Sequence, residues 1–579
     1  MDDNKSSDLW LLIVSKLPAS SRKRHNKSTG SNGKHRKMDI WVIISLSILA
    51  LYALFLIFPL FRLLKQSLYT TDGFTFANFI KFFSKYYYSQ TLINSIKVSI
   101  MATLLTLIIG VPLAYFYNMY EIKGKTIMQV VIILCSMSAP FIGAYSWILL
   151  LGRNGLLTNI ILNLTGYRIG SIYGFNGILL VLSLQLFPLV FLYVSGAIKN
   201  IDNSLLEASE NMGCSGIKRF FKVIIPLCMP TILASTLLVF MRAFADFGTP
   251  LLIGEGYRTF PVEIYYQYFG EVGIDHGFGA AISVIAIAIT AIIFLFQRFV
   301  NSKFQFTMNA MHPVERKKAK GLFNVLIHAY SYLVVGIAFA PQAYVIYTSF
   351  QNTSGKLFVE GYSFNSYFEA FDRMGSAIQN TFVIGGSALI IIILLAILIA
   401  YLVVRRNNRI NKLIDTISMV PYIIPGSVVG IALVLGFNTK PLVLTGTAII
   451  MVIALCIRRI PYTIRSSVAI LQQIPMSIEE AAISLGSSKL KAFFTITVPM
   501  MSNGILSGAI LSWVTIITEL STAIILYNMK TMTLTLAIYT YVSRGNYGIA
   551  AALATILTVL TIISLIIFMK VSKSKEITF

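Results

Sequence analysis

Two carboxylates stand in apolar sequence, where a charge is costly: Asp246, in Ala245-Asp246-Phe247-Gly248-Thr249-Pro250, and Glu519, in Thr518-Glu519-Leu520-Ser521-Thr522. An ionised group in such surroundings is paired, faces water or serves a function. Arg242 lies one helical turn before Asp246, so an intrahelical ion pair is one reading. Lining of a polar pathway by Arg242, Asp246 and Glu519 is another. A proton relay has less behind it, because no chain of intramembrane His, Asp or Glu accompanies these groups. A second acidic motif recurs as well. Glu207, Ala208, Ser209, Gly213 and Pro226 are matched by Glu480, Ala481, Ala482, Gly486 and Pro499, each copy with a Gly six residues and a Pro nineteen residues after its Glu. Catalytic machinery is not visible: the chain has no G-x-x-x-x-G-K-[ST] phosphate loop, no HExxH and no nucleophile elbow. No catalytic residue is assigned, and no cofactor is expected on this chain.

Metal ligation is the remaining chemistry to weigh. Tyr86, Tyr87, Tyr88, Tyr257, Glu263, Tyr265, Tyr266, Tyr268, Glu271, Asp275 and His276 fall in expected outer loops and include hard oxygen donors suited to ferric iron. Tyrosine is also abundant at membrane interfaces for its amphipathic ring. Interface anchoring is the ordinary reading, and no metal site is assigned. The four cysteines (Cys135, Cys214, Cys228, Cys456) have neither disulfide nor metal spacing and read as small buried residues.

The elements that must carry these motifs follow from composition. The 579 residues are 56% hydrophobic and only 12% charged, too apolar for a soluble globular chain. Apolar runs long enough to cross about 30 Å of hydrocarbon recur throughout, and such runs must be helical. Twelve spans are expected, near 39–64, 92–118, 126–151, 175–197, 224–247 and 279–300, then 322–349, 381–404, 412–436, 441–459, 495–526 and 547–570. The fold class is therefore an all-α membrane protein. A basic tail (1–38), expected to be disordered, precedes a first half at 39–300; a cytoplasmic linker (301–321) leads to a second half at 322–570 and a short tail at 571–579. The net charge of +24 gathers in the N-terminal tail, the linker, Arg405-Arg406-Arg409 and the C-terminus. With a cytoplasmic N-terminus, twelve spans place all of these clusters inside, which satisfies the positive-inside rule. Contact with anionic lipid explains the charge better than nucleic-acid binding does.

The halves are repeats. Gly73-Phe74-Thr75-Phe76 parallels Gly361-Tyr362-Ser363-Phe364, Asn94 parallels Asn380, Ala114-Tyr115 parallels Ala400-Tyr401, and Pro140 parallels Pro425. The offset is about 286 early in the halves and 273 from Pro188 (Pro461) to Asp246 (Glu519), which implies a longer first-half loop around 153–174. In the repeated loop, Ser204 or Asp202 can cap a short helix carrying Glu207 and Ala208, and Ser477 precedes its counterpart. Gly213 and Gly486 permit a sharp turn. A basic, aromatic helix follows, through Lys218-Arg219-Phe220-Phe221 and Lys489, Lys491, Phe493 and Phe494, and Pro226 and Pro499 mark the return to the membrane.

On these residues the chain resembles the permease subunits of binding-protein-dependent type I ABC importers, whose EAA loop reads E-A-A, three residues, G, nine residues, I-x-L-P. With A-D-F-G-T-P, E-L-S-T and Arg458-Arg459-Ile460-Pro461-Tyr462, it resembles the fused ferric-iron permeases in particular, from about 40 to 570; Glu519-Leu520-Ser521-Thr522 departs from the E-L-P-A-T of that group. The resemblance implies two six-span halves in the bacterial plasma membrane. It also implies that Glu207, Ala208, Ser209, Gly213, Pro226 and Glu480, Ala481, Ala482, Gly486, Pro499 lie in loops that seat on two copies of an ATP-hydrolysing subunit. A separate extracytoplasmic binding protein would deliver the cargo. Relatives of the same design carry 2-aminoethylphosphonate or thiamine, so those cargoes stay open beside ferric iron. An ion-coupled secondary transporter also uses internal repeats, but the duplicated loop speaks against it.

Overall fold

The computed structural model describes residues 39–571 apart from 71–72, 138–139, 169, 271–274, 304–311, 313, 355–356 and 407. The basic tail, the C-terminal tail from 572, Glu271 and residues 304–311 and 313 of the central linker lie outside the described residues. The chain divides into two units, Met1–Ile43 and Ile44–Phe579, and every candidate site residue lies in the second. Among the described residues, nine helices are long and apolar enough to cross a bilayer, or eleven if each of two bent pairs is one span. The expected tenth span falls outside that set. It is the helix Ala448–Gln473, whose interior carries Arg458, Arg459 and Arg465. It begins later than expected and continues fourteen residues past 459, because residues 441–447 form a turn and Thr447 caps the helix at Ile450 N.

The helices that position the candidate sites are, in chain order, α1 (Tyr86–Met119), α2 (Phe175–Lys199), α3 (Asn203–Asn211), α4 (Ile225–Phe244), α5 (Asn365–Arg405), α6 (Arg409–Ile423), α7 (Gly426–Phe437), α8 (Ala448–Gln473), α9 (Met476–Ser484) and α10 (Ser502–Ile517). The repeat is visible in the pairing. α1 packs along α2, and α5 packs along α8 in the same way. Lipid tails are as apolar as leucine, so helices associate through close packing of small residues. Accordingly α5 buries Ala377, Thr381, Gly385, Ala388, Ile392 and Ala396 along one stripe. A Cβ on Gly110 would come within 2.8 Å of Val190 Cβ, and one on Gly508 within 2.6 Å of Thr463 Cα. Both halves also carry a hairpin after their first helix, β1–β2 (Tyr69–Thr70, Gly73–Phe74) and β3–β4 (Gln351–Ser354, Leu357–Tyr362). The longer first-half loop holds a helix of its own, Leu156–Thr165.

Three π-helical segments occur among the described residues, Ala53–Ile57, Phe220–Ile224 and Phe493–Thr497. Each ends one residue before an X-Pro pair: Phe58-Pro59, Ile225-Pro226 and Val498-Pro499. Proline lacks an N–H and its ring clashes with the carbonyl four residues back. Widening the preceding turn relieves that clash, and the N–H groups of Phe58, Ile225 and Val498 bond five residues back, to Ala53, Phe220 and Phe493. Pro226 and Pro499 thus shape the join between each loop and its span.

Candidate functional site

The two repeated loops are built alike. Asp202 caps α3 by accepting from Ser204 N at 3.0 Å. α9 has Pro475 at the corresponding position, and Ser477 lies inside the helix rather than capping it. Gly213 and Gly486 follow the last turns with φ of +76° and +91°, a region closed to most side chains. Their neighbours close the helices: Cys214 N reaches Ser209 O at 2.8 Å and Ser487 N reaches Ala482 O at 3.0 Å. Ser209 is buried and donates to Leu206 O, while Glu207, Ala208, Glu480 and Ala481 are exposed. So are Met212, Ile217, Met476 and Leu485, the last at 89%. A rim of carboxylates around exposed apolar side chains, repeated on both halves, is the chemistry of an interface.

What anchors each loop from behind differs. In both halves a tyrosine near the end of a long helix packs at a steep angle against the first residue of the π segment: Tyr115 against Phe220 and Tyr401 against Phe493, each with ring centroids 4.7 Å apart. In the second half Tyr401 Oη donates to the buried Glu479, which also faces Arg405 Nε at 3.8 Å and Thr497 Oγ1 at 3.5 Å. The repeat-equivalents of Glu479 and Arg405 are Leu206 and Met119, both buried in the first-half core. There the charge sits elsewhere. Buried Arg219 pairs with Glu210 at 3.1 Å, and Lys317 of the linker reaches the same carboxylate at 2.6 Å. Lys317 thereby holds the Glu210 carboxyl below its usual range. The linker is further tied down through Asn203 N to His312 O (3.0 Å) and Lys317 N to Met119 O (2.9 Å). Sequence reasoning gave no role to Glu479, Arg219 or the linker contacts; the repeated Ala-Tyr pair was a signal that could have pointed to Glu479, the acceptor of Tyr401.

The carboxylates in apolar sequence share one role and differ in another. Asp246 Oδ1 accepts from Thr249 N at 3.0 Å, and Glu519 Oε1 accepts from Thr522 N at 3.0 Å, so each holds the backbone turn that leads into a short helix. Glu519 also receives two guanidiniums. Arg458 Nη1 reaches Glu519 (2.6 Å), Ser521 Oγ (2.9 Å) and Thr522 Oγ1 (2.8 Å), and Arg459 Nη2 pairs with the other carboxylate oxygen. A Cβ on Gly426 would collide with Arg458 and Ser521, so the start of α7 closes this network. Arg242 is not ion-paired with Asp246 among the described residues. It crosses instead to the other half, where Nη2 meets Tyr462 Oη at 3.5 Å, and the Tyr462 ring lies 5.6 Å from that of Tyr422. The adjacent Arg458 and Arg459 inside an apolar segment were visible in the sequence; the three-dimensional company of Arg242 was not.

The outer-loop donors do not converge. Glu263 is buried against Arg258, Gln267 and Tyr87, Asp275 pairs with Lys81 at 2.8 Å, and Tyr268 donates to His276 O. Among the described residues no group of three or more His, Cys, Asp or Glu could hold a metal. All four cysteines are free, and Cys214 is half-exposed where burial was expected.

Comparison with known proteins completes the picture. The chain is 28% identical to the ferric transport system permease protein of Actinobacillus pleuropneumoniae over 90% of its length and 77% of the relative's. A putative ferric transport system permease protein of Haemophilus influenzae is 26% identical, with 85% and 79% covered. The spermidine/putrescine transport system permease protein of the same organism is 28% identical over 46% of this chain and 94% of its own. Residues 93–306 and 325–575 each match the family described as the binding-protein-dependent transport system inner membrane component, and the chain, a multi-pass membrane permease with two copies of that domain, belongs to this family.

Proposed function

We propose that this chain is the two-half permease of an ATP-driven importer of ferric iron. The carrying observation is that both halves, in one chain, align with ferric transport permeases over most of either protein. On this reading residues 39–300 and 322–570 are the two six-span halves, with both termini cytoplasmic. The exposed faces around Glu207 and Glu480 seat on two copies of an ATP-hydrolysing subunit, and an extracytoplasmic binding protein delivers iron to the opposite side. ATP binding would draw the two subunits together and carry α3 and α9 with them. The π segments and Pro226 and Pro499 pass that displacement into the spans that bear Arg242 and Glu519. Transport is then a shift between two states with different affinity for the partners.

The test is ATPase activity in proteoliposomes containing the permease, its ATPase and its binding protein. Ferric iron should stimulate hydrolysis, while 2-aminoethylphosphonate and thiamine should not. Stimulation by either organic solute instead would overturn the cargo assignment. Uptake without any ATPase would overturn the importer class.

A further inference from the structure

Three guanidiniums gather where the two halves meet, and one carboxylate answers them. Arg458 and Arg459 share Glu519. Arg242 comes from the other half and, among the described residues, ion-pairs with no carboxylate; its polar neighbour is the hydroxyl of Tyr462, whose ring packs 5.6 Å from that of Tyr422. Tyr462 lies within electrostatic reach of all three guanidiniums and of Glu519. Asp246 turns its carboxylate to the backbone N–H of Thr249. Donor capacity is also left over, since Arg458 Nε and Arg459 Nε are buried without a hydrogen-bond partner. Arg242, Tyr422 and Tyr462 are half-buried, and Tyr193 is 37% exposed. Arg242 stands in the last turn of α4; a guanidinium on a membrane span faces the interior rather than lipid, and the partial exposure of these groups leaves them within reach of a solute.

An excess of buried positive charge is expensive unless an anion shares the site. It would also repel a bare trivalent cation, which carries charge of the same sign. Guanidinium with phenolic hydroxyls is, by contrast, a donor set made for oxyanions and carboxylates. We propose that ferric iron crosses with an anion, an oxyanion or carboxylate of its coordination shell or a free companion, and that Arg242, Tyr422 and Tyr462 are the groups that bind it. The inference deepens the ferric-iron reading by naming the chemical form of the cargo.

The experiment is equilibrium binding of [32P]phosphate and [14C]citrate to the full chain in nanodiscs, followed by double-label uptake with 55Fe in the assembled importer. Saturable binding of at least one anion is expected, weakened tenfold or more in Arg242→Gln and less in Arg242→Lys. Thr515→Val, at the repeat-equivalent of Arg242, should bind like the parent. Anion binding that needs 55Fe identifies the coordination shell as its source; binding without iron identifies a free companion. Either result upholds the site. Absence of saturable binding of both anions, or equal binding by Arg242→Gln, overturns it even if 55Fe is taken up. Retained anion binding with no 55Fe uptake would instead overturn the iron reading and leave the anion site standing.

Discussion

The anchor behind the second loop can be exchanged for that of the first. Glu479 and Arg405 are each 8% exposed at the side chain and face one another across 3.8 Å, where the first half places Leu206 and Met119. Replacing Glu479 by Leu leaves Arg405 buried without its counter-charge; Arg405 Nη2 keeps only Ile474 O at 2.8 Å. Breaking one side of a buried pair costs about 3–5 kcal/mol. Tyr401 also loses its acceptor, so Glu479→Leu should fall toward the upper end of that range. Arg405→Met strands the carboxylate, but Tyr401 and Thr497 still donate to it, and about 2–3 kcal/mol is expected. The double variant recreates the apolar pair of the other half, and replacing both members of a buried ion pair is often nearly neutral. It should therefore lie within about 1–2 kcal/mol of the parent, leaving a coupling energy of several kcal/mol. The assay is unfolding by titration with sodium dodecyl sulfate in mixed micelles, with stimulated ATPase activity in parallel. Additive losses in the double variant would refute the claim that charge and apolar packing are interchangeable anchors at this position.

Other positions yield shorter tests. Gly213→Pro and Gly486→Pro should uncouple ATP hydrolysis from transport while membrane insertion stays intact, because both residues occupy left-handed backbone; normal transport in both variants would sink the coupling role. Gly486→Ala in the same turn should cost only about 1–2 kcal/mol in stability, read by the same detergent titration. Gly508→Val should lower stability by about 1–3 kcal/mol through overpacking, since its Cβ would stand 2.6 Å from Thr463 Cα. The linker contact should respond to acid. Glu210 has a depressed carboxyl pKa in the folded chain, so its pairing stabilises above the unfolded value and is lost as pH falls through the folded one, below the usual carboxylate range. Amide exchange around Glu315–Lys317 should thus accelerate only in acid, and in Lys317→Ala it should be fast at neutral pH as well, with the acid step gone.

The repeat, the loop motif and the two glycine turns were legible because each depends on local sequence. Gly213 and Gly486 carry the positive φ that the motif required, and Asp202 caps as its residue type predicts. What could not be read involved partners distant in sequence. The helix Ala448–Gln473 passes straight through Arg458 and Arg459, where the apolar run suggested an end, because Glu519 compensates them from sixty residues away. An Arg242–Asp246 pair is one reading of the sequence, yet the Asp246 carboxylate accepts from Thr249 N and the guanidinium crosses to Tyr462. Ser477 looked like a cap by type, but the helix had already begun behind Pro475. Local rules located the repeated loops and their turns, and long-range charge pairing decided the extent of Ala448–Gln473 and where the charged side chains went.

The two halves keep one backbone plan and divide their charges unequally. Arg242 is matched by Thr515, Arg458 by Gln185, and Glu479 with Arg405 by Leu206 with Met119. The linker braces α3 and has no counterpart at α9 among the described residues. A homodimer built from either half alone could not make this arrangement, since symmetry would copy every charge across the axis. Two first halves would oppose Arg242 to itself with no Glu519 network between them; two second halves would bring four guanidiniums to two carboxylates. Joining the halves in one chain lets a cation from one side meet tyrosine hydroxyls from the other, and the surplus positive charge is left for a compensating anion. The fused architecture and the one-sided arginine cluster are in this sense the same fact: covalent duplication freed the second half to hold Glu519 and its arginines while the first kept Arg242.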